Sequence, residues 1–117
     1  ASERRNQHEN QEMALFRLRL KLALELRCPT ENAPQPTDLW RSRCRKGRIS
    51  VNSSHMDFPA LIAEALDVLM VRDWEPQSAA EWFSCSASQL IKLLKQEIKA
   101  MAWVNKQRIS QGKHPLR

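Results

Sequence analysis

At 117 residues, with 19 Lys and Arg against 13 Asp and Glu, the chain has room for one domain or two small ones and carries a net charge of +6. Its pI near 9.7 favours an anionic partner, with nucleic acid as the default class. No apolar run reaches membrane-spanning length and no signal peptide is read. The three cysteines, Cys28, Cys44 and Cys85, show no CxxC or Cys/His spacing, so they fit reduced thiols in a cytoplasmic protein with no metal and no cofactor.

The charge is uneven. Residues 1–56 hold eleven Lys and Arg against six Asp and Glu, and residues 57–117 hold eight against seven. The chain opens without a methionine, inside a polar, helix-forming run, as a fragment of a longer protein does. After polar, basic residues 1–10 a helix is predicted to about Leu26, capped by Asn10 or Asn6, with Leu15, Leu18, Leu22 and Leu26 on one face. Phe16, Leu20 and Leu24 broaden that face, so the helix needs partners on more than one side, and part of it is left sticky without them. Cys28-Pro29 ends it, because the residue before a proline avoids helical geometry.

Residues 29–39 contain three prolines and read as a semi-extended linker, after which Asp38 caps a short turn that places Trp40. Next comes RSRCRKGR, residues 41–48, with five basic positions in eight. Arg41, Arg43, Arg45, Lys46 and Arg48 repel one another at this spacing and call for a counter-ion, so phosphate contact is preferred here to a merely solvated loop. Ile49 to Val51 is β-like but too short to be read as a sheet, and residues 52–55 form a turn.

A second helix is predicted over residues 57–71, with Asp57 as its cap, Pro59 in its first turn, and Leu61, Ala65, Leu66, Leu69 and Met70 as its buried stripe. Glu64 and Asp67 are expected to face solvent. Residues 77–96 then read as helix, tight turn and helix. Ala80 allows a close crossing, Ser84 stands where glycine is usual, Ser86 caps, and Leu90 and Leu93 pack back on Ala80 and Phe83. A plain hairpin with a solvated lysine face is the preferred reading. On the nucleic-acid reading, Ser88, Gln89, Lys92, Lys95 and Gln96 are the outward residues. Trp74 and Trp82 are expected in the core rather than stacked on bases. The last helix runs from about Glu97 to Ser110, with Ile98, Met101, Ala102 and Val104 or Ile109 inward. Gly112 stops it, and a basic tail frays beyond. No glycine-rich phosphate loop and no catalytic constellation is found.

One stretch carries a resemblance. ERRNQHENQEMALFRLRLKL, through Arg5, Gln7, His8, Asn10, Ala14, Leu15, Leu18 and Leu20, resembles the end of the catalytic domain of bacterial class I peptide chain release factors and their small peptidyl-tRNA hydrolase relatives. In that family an Arg-Ser-Gln-x-x-Asn segment leads into a long helix; Asn6 stands here in place of the serine. The match covers about residues 3–26. It implies that the first helix is left from a truncated α+β domain. It also implies that Arg5, Gln7 and His8, together with Arg41, Arg43, Arg45, Lys46 and Arg48, contact ribosomal RNA or peptidyl-tRNA. The family's ester-hydrolysing Gly-Gly-Gln has no counterpart, because the sequence contains no Gly-Gly pair.

The reading is a mostly α protein in three parts. Residues 1–28 are the tail of a release-factor-like domain, 29–56 a linker with the basic segment, and 57–117 a small helical bundle containing the helix-turn-helix-like hairpin. The implied role is ribosome and ribosomal RNA binding in translation termination or ribosome rescue. The alternatives are a DNA-binding helix-turn-helix regulator and a non-catalytic helical adaptor.

Overall fold

A computed structural model describes residues 2–28 and 35–117, and the protein is mostly helical. Much of the proline-rich linker expected at 29–39 lies outside the described residues. In chain order the elements are helix α1 (Ser2–Glu25), helix α2 (Asp38–Arg43), strands β1 (Cys44–Arg45) and β2 (Arg48–Ile49), and helices α3 (Phe58–Val71), α4 (Pro76–Phe83), α5 (Ala87–Lys95) and α6 (Ile98–Ser110).

Helix α1 docks on α3 through its C-terminal half, where Ala23 is buried and Leu20 and Leu24 pack on the core. Residues 5–15 are exposed throughout. The leucine stripe of Leu15, Leu18, Leu22 and Leu26 stays at 45–59% exposure, so this face of α1 meets none of the described residues closely. The helix closes before the Cys28-Pro29 pair. Arg27 folds back and donates from Nη1 to the Ala23 carbonyl and from Nη2 to the Leu24 carbonyl, each at 2.7 Å. A cation on the last carbonyls caps the helix and complements its dipole.

Asp67 corrects the expectation of a solvated charge. It is buried on α3, and its Oδ1 accepts from the Cys28 N–H at 3.0 Å. Burial raises the Asp67 carboxyl above its ordinary range, against the opposing pull of the Cys28 N–H and Arg27. Burial likewise lowers Arg27 despite the nearby carboxylate. Desolvation therefore outweighs attraction on both sides of the pair. Glu64 is half-buried and accepts from the Thr37 N–H at 3.0 Å and from its hydroxyl, which fastens the start of α2 to α3.

Thr37, not Asp38, caps α2: its Oγ1 accepts from the Trp40 N–H at 3.2 Å. Asp38 falls in the first helical turn, where its charge suits the positive end of the helix. The cap aims Trp40 into the core, fully buried, where its ring stacks on Phe83 with centroids 3.8 Å apart. Asp57 occupies the cap position of α3 but makes no cap hydrogen bond, because its carboxylate is taken by Arg43 at 2.9 Å.

The bundle core draws Phe58, Leu61, Ile62, Leu66 and Leu69 from α3, Ala79, Ala80 and Phe83 from α4, Leu90, Leu93 and Leu94 from α5, and Ala100 and Val104 from α6. On α6 the expected inner face needs correction. Ile98, Ala102 and Ile109 are exposed, Met101 is half-buried, and the short Ala100 lies inside. Helix α6 begins after a break at Glu97, whose backbone is extended and whose side chain accepts from the Lys99 N–H at 3.2 Å. Apolar residues stand on opposite sides of α6, Ile98, Ala102 and Ile109 on one and Ala100 and Val104 on the other, and the core takes the side with the smaller residues.

The tail does not fray. Asn105 exchanges two hydrogen bonds with the Leu116 backbone, at 2.6 and 3.2 Å. Arg108 donates to the carbonyls of His114 and Trp74, each at 2.8 Å. Lys113 donates to the Asp73 carbonyl and pairs with Glu75 at 2.7 Å, which holds that carboxyl below its usual range. These cations brace the α3–α4 turn, where Asp73 and Trp74 both take positive φ, 57° and 59°.

Candidate nucleic-acid interface

The basic segment folds into a hairpin. Cys44 pairs with Ile49 and Arg45 with Arg48 in antiparallel register. Between them Lys46 and Gly47 take φ of 52° and 78°. Positive φ at both turn positions is the geometry that matches the twist of the flanking strands, and Gly47 supplies it without strain. One side of the hairpin is anchored: Ile49 is buried, and the pair of strands packs against α2 and α5. Its other side is left to the charges.

Arg45 and Arg48 therefore stand directly opposite each other, both exposed, with exposed Lys46 at the tip and exposed Arg41 on α2. Like charges directly across two strands repel. Arg43 differs from its neighbours. It is half-buried, bonded to Asp57 at 2.9 Å, and its Nη2 lies 3.0 Å from His55 Nε2. Its cation joins the hairpin base to the cap position of α3.

The hairpin tip touches the turn between α4 and α5. A Cβ added to Gly47 would sit 3.9 Å from the Ser84 carbonyl oxygen. Ser84 adopts φ 60°, ψ 35°, and the Cys85 N–H reaches back to the Ala80 carbonyl at 3.0 Å, closing α4 as glycine usually does. Ser86 then caps α5 through the Gln89 N–H at 3.2 Å. Ala80, Phe83, Leu90 and Leu93 are all buried, so the small residue, turn, cap and apolar pair take up their expected places. Along α5, Ser88, Lys92 and Lys95 are exposed and Gln89 is half-buried. Lys92 and Lys95 lie in the last turn, where they also favour the helix dipole.

Arg5, Gln7 and His8 are exposed on the free half of α1, where His8 pairs with Glu12 at 2.9 Å. They belong to a different element from the hairpin. Cys28 is exposed, while Cys44 and Cys85 are half-buried. Burial raises the Cys44 thiol and pushes Cys85 up to about 11, so both stay protonated at neutral pH and make poor nucleophiles. Among the described residues no three His, Cys, Asp or Glu side chains gather as a metal ion needs. No helix of the described residues is long and apolar enough to cross a membrane.

Sequence reasoning missed the hairpin and its contact with the Ser84 turn. The available signal was Gly47 just ahead of the β-like Ile49 to Val51, weakened because the preceding run is basic and lysine rather than Asn or Asp stands before the glycine. The chain matches no protein-family model, no curated protein and no solved structure.

Proposed function

We propose that this chain is the C-terminal part of a release-factor-like protein serving translation termination or ribosome rescue, and that it contributes contact with ribosomal RNA. The observation that carries the RNA-binding reading is the Arg45–Arg48 pair. The fold holds two arginines face to face on a hairpin anchored by buried Ile49, with Lys46 between and Arg41 beside them. A phosphate backbone turns that repulsion into attraction, and contact with phosphates suits RNA helices, whose deep groove side chains do not read. The bare leucine stripe of α1 supports the release-factor part of the reading. It falls on the stretch of the resemblance, where the helix would lie on a catalytic domain. Peptidyl-tRNA ester hydrolysis would belong to that domain, since no Gly-Gly pair occurs here.

The test is co-sedimentation with ribosomes across a salt series, beside binding to random duplex DNA. Ribosome binding well above DNA binding is expected, and Arg45→Ala with Arg48→Ala should lower the salt slope by about two. Equal, weak binding to both would leave only a basic surface. The hairpin of α4 and α5 favours a second reading, a DNA-binding regulator. On that reading Gln89→Ala and Lys92→Ala remove sequence discrimination as well as affinity.

A further inference from the structure

Beside the basic hairpin lies an open cleft of about 540 Å³, within the size range of small-ligand sites. Its walls combine three kinds of chemistry. Half-buried Trp82 at the end of α4 forms an aromatic side, set edge-on to the buried Phe83 at 5.2 Å and 76°. Phe83 in turn stacks on buried Trp40, so Trp82 is backed by packed aromatic core. Arg41 and Lys46 bring positive charge to the rim. Arg41 pairs with Asp38, but that carboxylate is almost fully exposed and the pair spans a single helical turn, so a phosphate can compete for it. Gln35 and the Ser84 carbonyl add donors and acceptors within the same walls.

A half-buried indole, two cations and a few polar groups around a void of this size suit a single nucleotide. The base finds a stacking surface, its edge finds hydrogen-bond partners, and its phosphate finds charge. We propose that this cleft receives one unpaired nucleotide of a bound RNA, the base against Trp82 and the phosphate between Arg41 and Lys46. The inference rests on the RNA-binding reading above and deepens it. The hairpin attracts the backbone, and the cleft selects RNA that can extrude a base.

The test uses the full chain and two RNA hairpins identical except for one bulged adenosine. Wild-type protein should bind the bulged hairpin about tenfold more tightly, as expected for one base stacked on an aromatic ring. Trp82→Leu should abolish that preference and leave affinity for the unbulged hairpin within about twofold, while Trp82→Phe, which keeps a ring, retains most of the preference. Indole emission provides a second readout should Trp82→Leu fail to fold: the bulged RNA should quench the wild type and not Trp82→Phe. No preference in the wild type, a preference that survives Trp82→Leu, or equal quenching of Trp82→Phe overturns the cleft. Arg45→Ala with Arg48→Ala separates the two ideas. If it weakens both RNAs while Trp82→Leu changes nothing, the RNA-binding surface stands and the cleft falls. If it weakens neither, the RNA-binding reading fails as well.

Discussion

Helices α1 and α5 both carry leucines at intervals of three and four residues, and the two sets have opposite surroundings. On α5, Leu90, Leu93 and Leu94 are no more than 1% exposed. On α1, Leu15, Leu18, Leu22 and Leu26 keep 45–59% of their surface in contact with solvent. The spacing is the same because it reports which residues share a face, not whether that face has a neighbour. What separates the helices is the second apolar face of α1. Leu20, Ala23 and Leu24 already satisfy the contact with α3, which leaves the stripe over. The α5 leucines are enclosed on several sides by α3, α4, α6 and the hairpin.

The contrast makes ordered demands on stability. The largest effect belongs to the enclosed region: Phe83→Ala removes the ring on which Trp40 stacks and should cost about 3–5 kcal/mol in urea unfolding. Ser86→Ala, which strips the α5 cap, should cost about 1 kcal/mol by the same measurement. Ser84→Gly should add about 0.5–1 kcal/mol, because glycine accepts the left-handed backbone that serine holds under strain. Leu18→Gln with Leu22→Gln, which keeps helix propensity, should change stability by about 0.5 kcal/mol or less, in line with an uncovered surface. A loss of several kcal/mol there would mean that the stripe is covered in solution and would erase the contrast.

The junction between the two regions is sensitive to pH. Burial raises the Asp67 carboxyl, so the folded protein holds that proton more tightly than the unfolded chain. Its contribution to stability is therefore greatest in acid and declines as pH rises through the raised value. Asp67→Asn keeps an acceptor for the Cys28 N–H and removes the titration. Urea midpoints across pH should thus show the variant gaining on the wild type as pH rises; parallel curves would remove burial as the cause.

Much of the α4–α5 hairpin was legible from the sequence, because its signals are local. Ala80, Ser84, Ser86, Leu90 and Leu93 act within one or two turns of one another, and each took its expected place. The stripe of α3 was legible for the same reason, apart from Asp67. Asp67 reads as a solvated charge from local spacing because its partners, Arg27 and the Cys28 N–H, lie 39 or more positions earlier in the chain. The inner face of α6 is not legible because apolar residues occupy both sides of the helix, and the larger Ile98 and Ile109 lie on the exposed one. Within the candidate interface, the five cations were evident as charge. Their division into exposed Arg41, Arg45, Lys46 and Arg48 and the engaged Arg43 depends on a hairpin register that composition does not encode.

The stack of Trp40 on Phe83 also gives the protein an optical signature. Four tryptophans and no tyrosine mean that its long-wavelength ultraviolet emission comes from indoles alone. Trp40 is sealed from water, and its ring N–H has no partner among the described residues. An indole so placed has no mobile dipoles to relax against and emits toward the blue, whereas Trp103, 37% exposed on α6, emits toward the red. Iodide should darken the red component and spare the blue one. In a Trp74→Phe background, which removes the other buried indole, a loss of blue emission while the circular dichroism of the helices holds steady would mark the moment at which α2 and its basic hairpin lift away from the bundle.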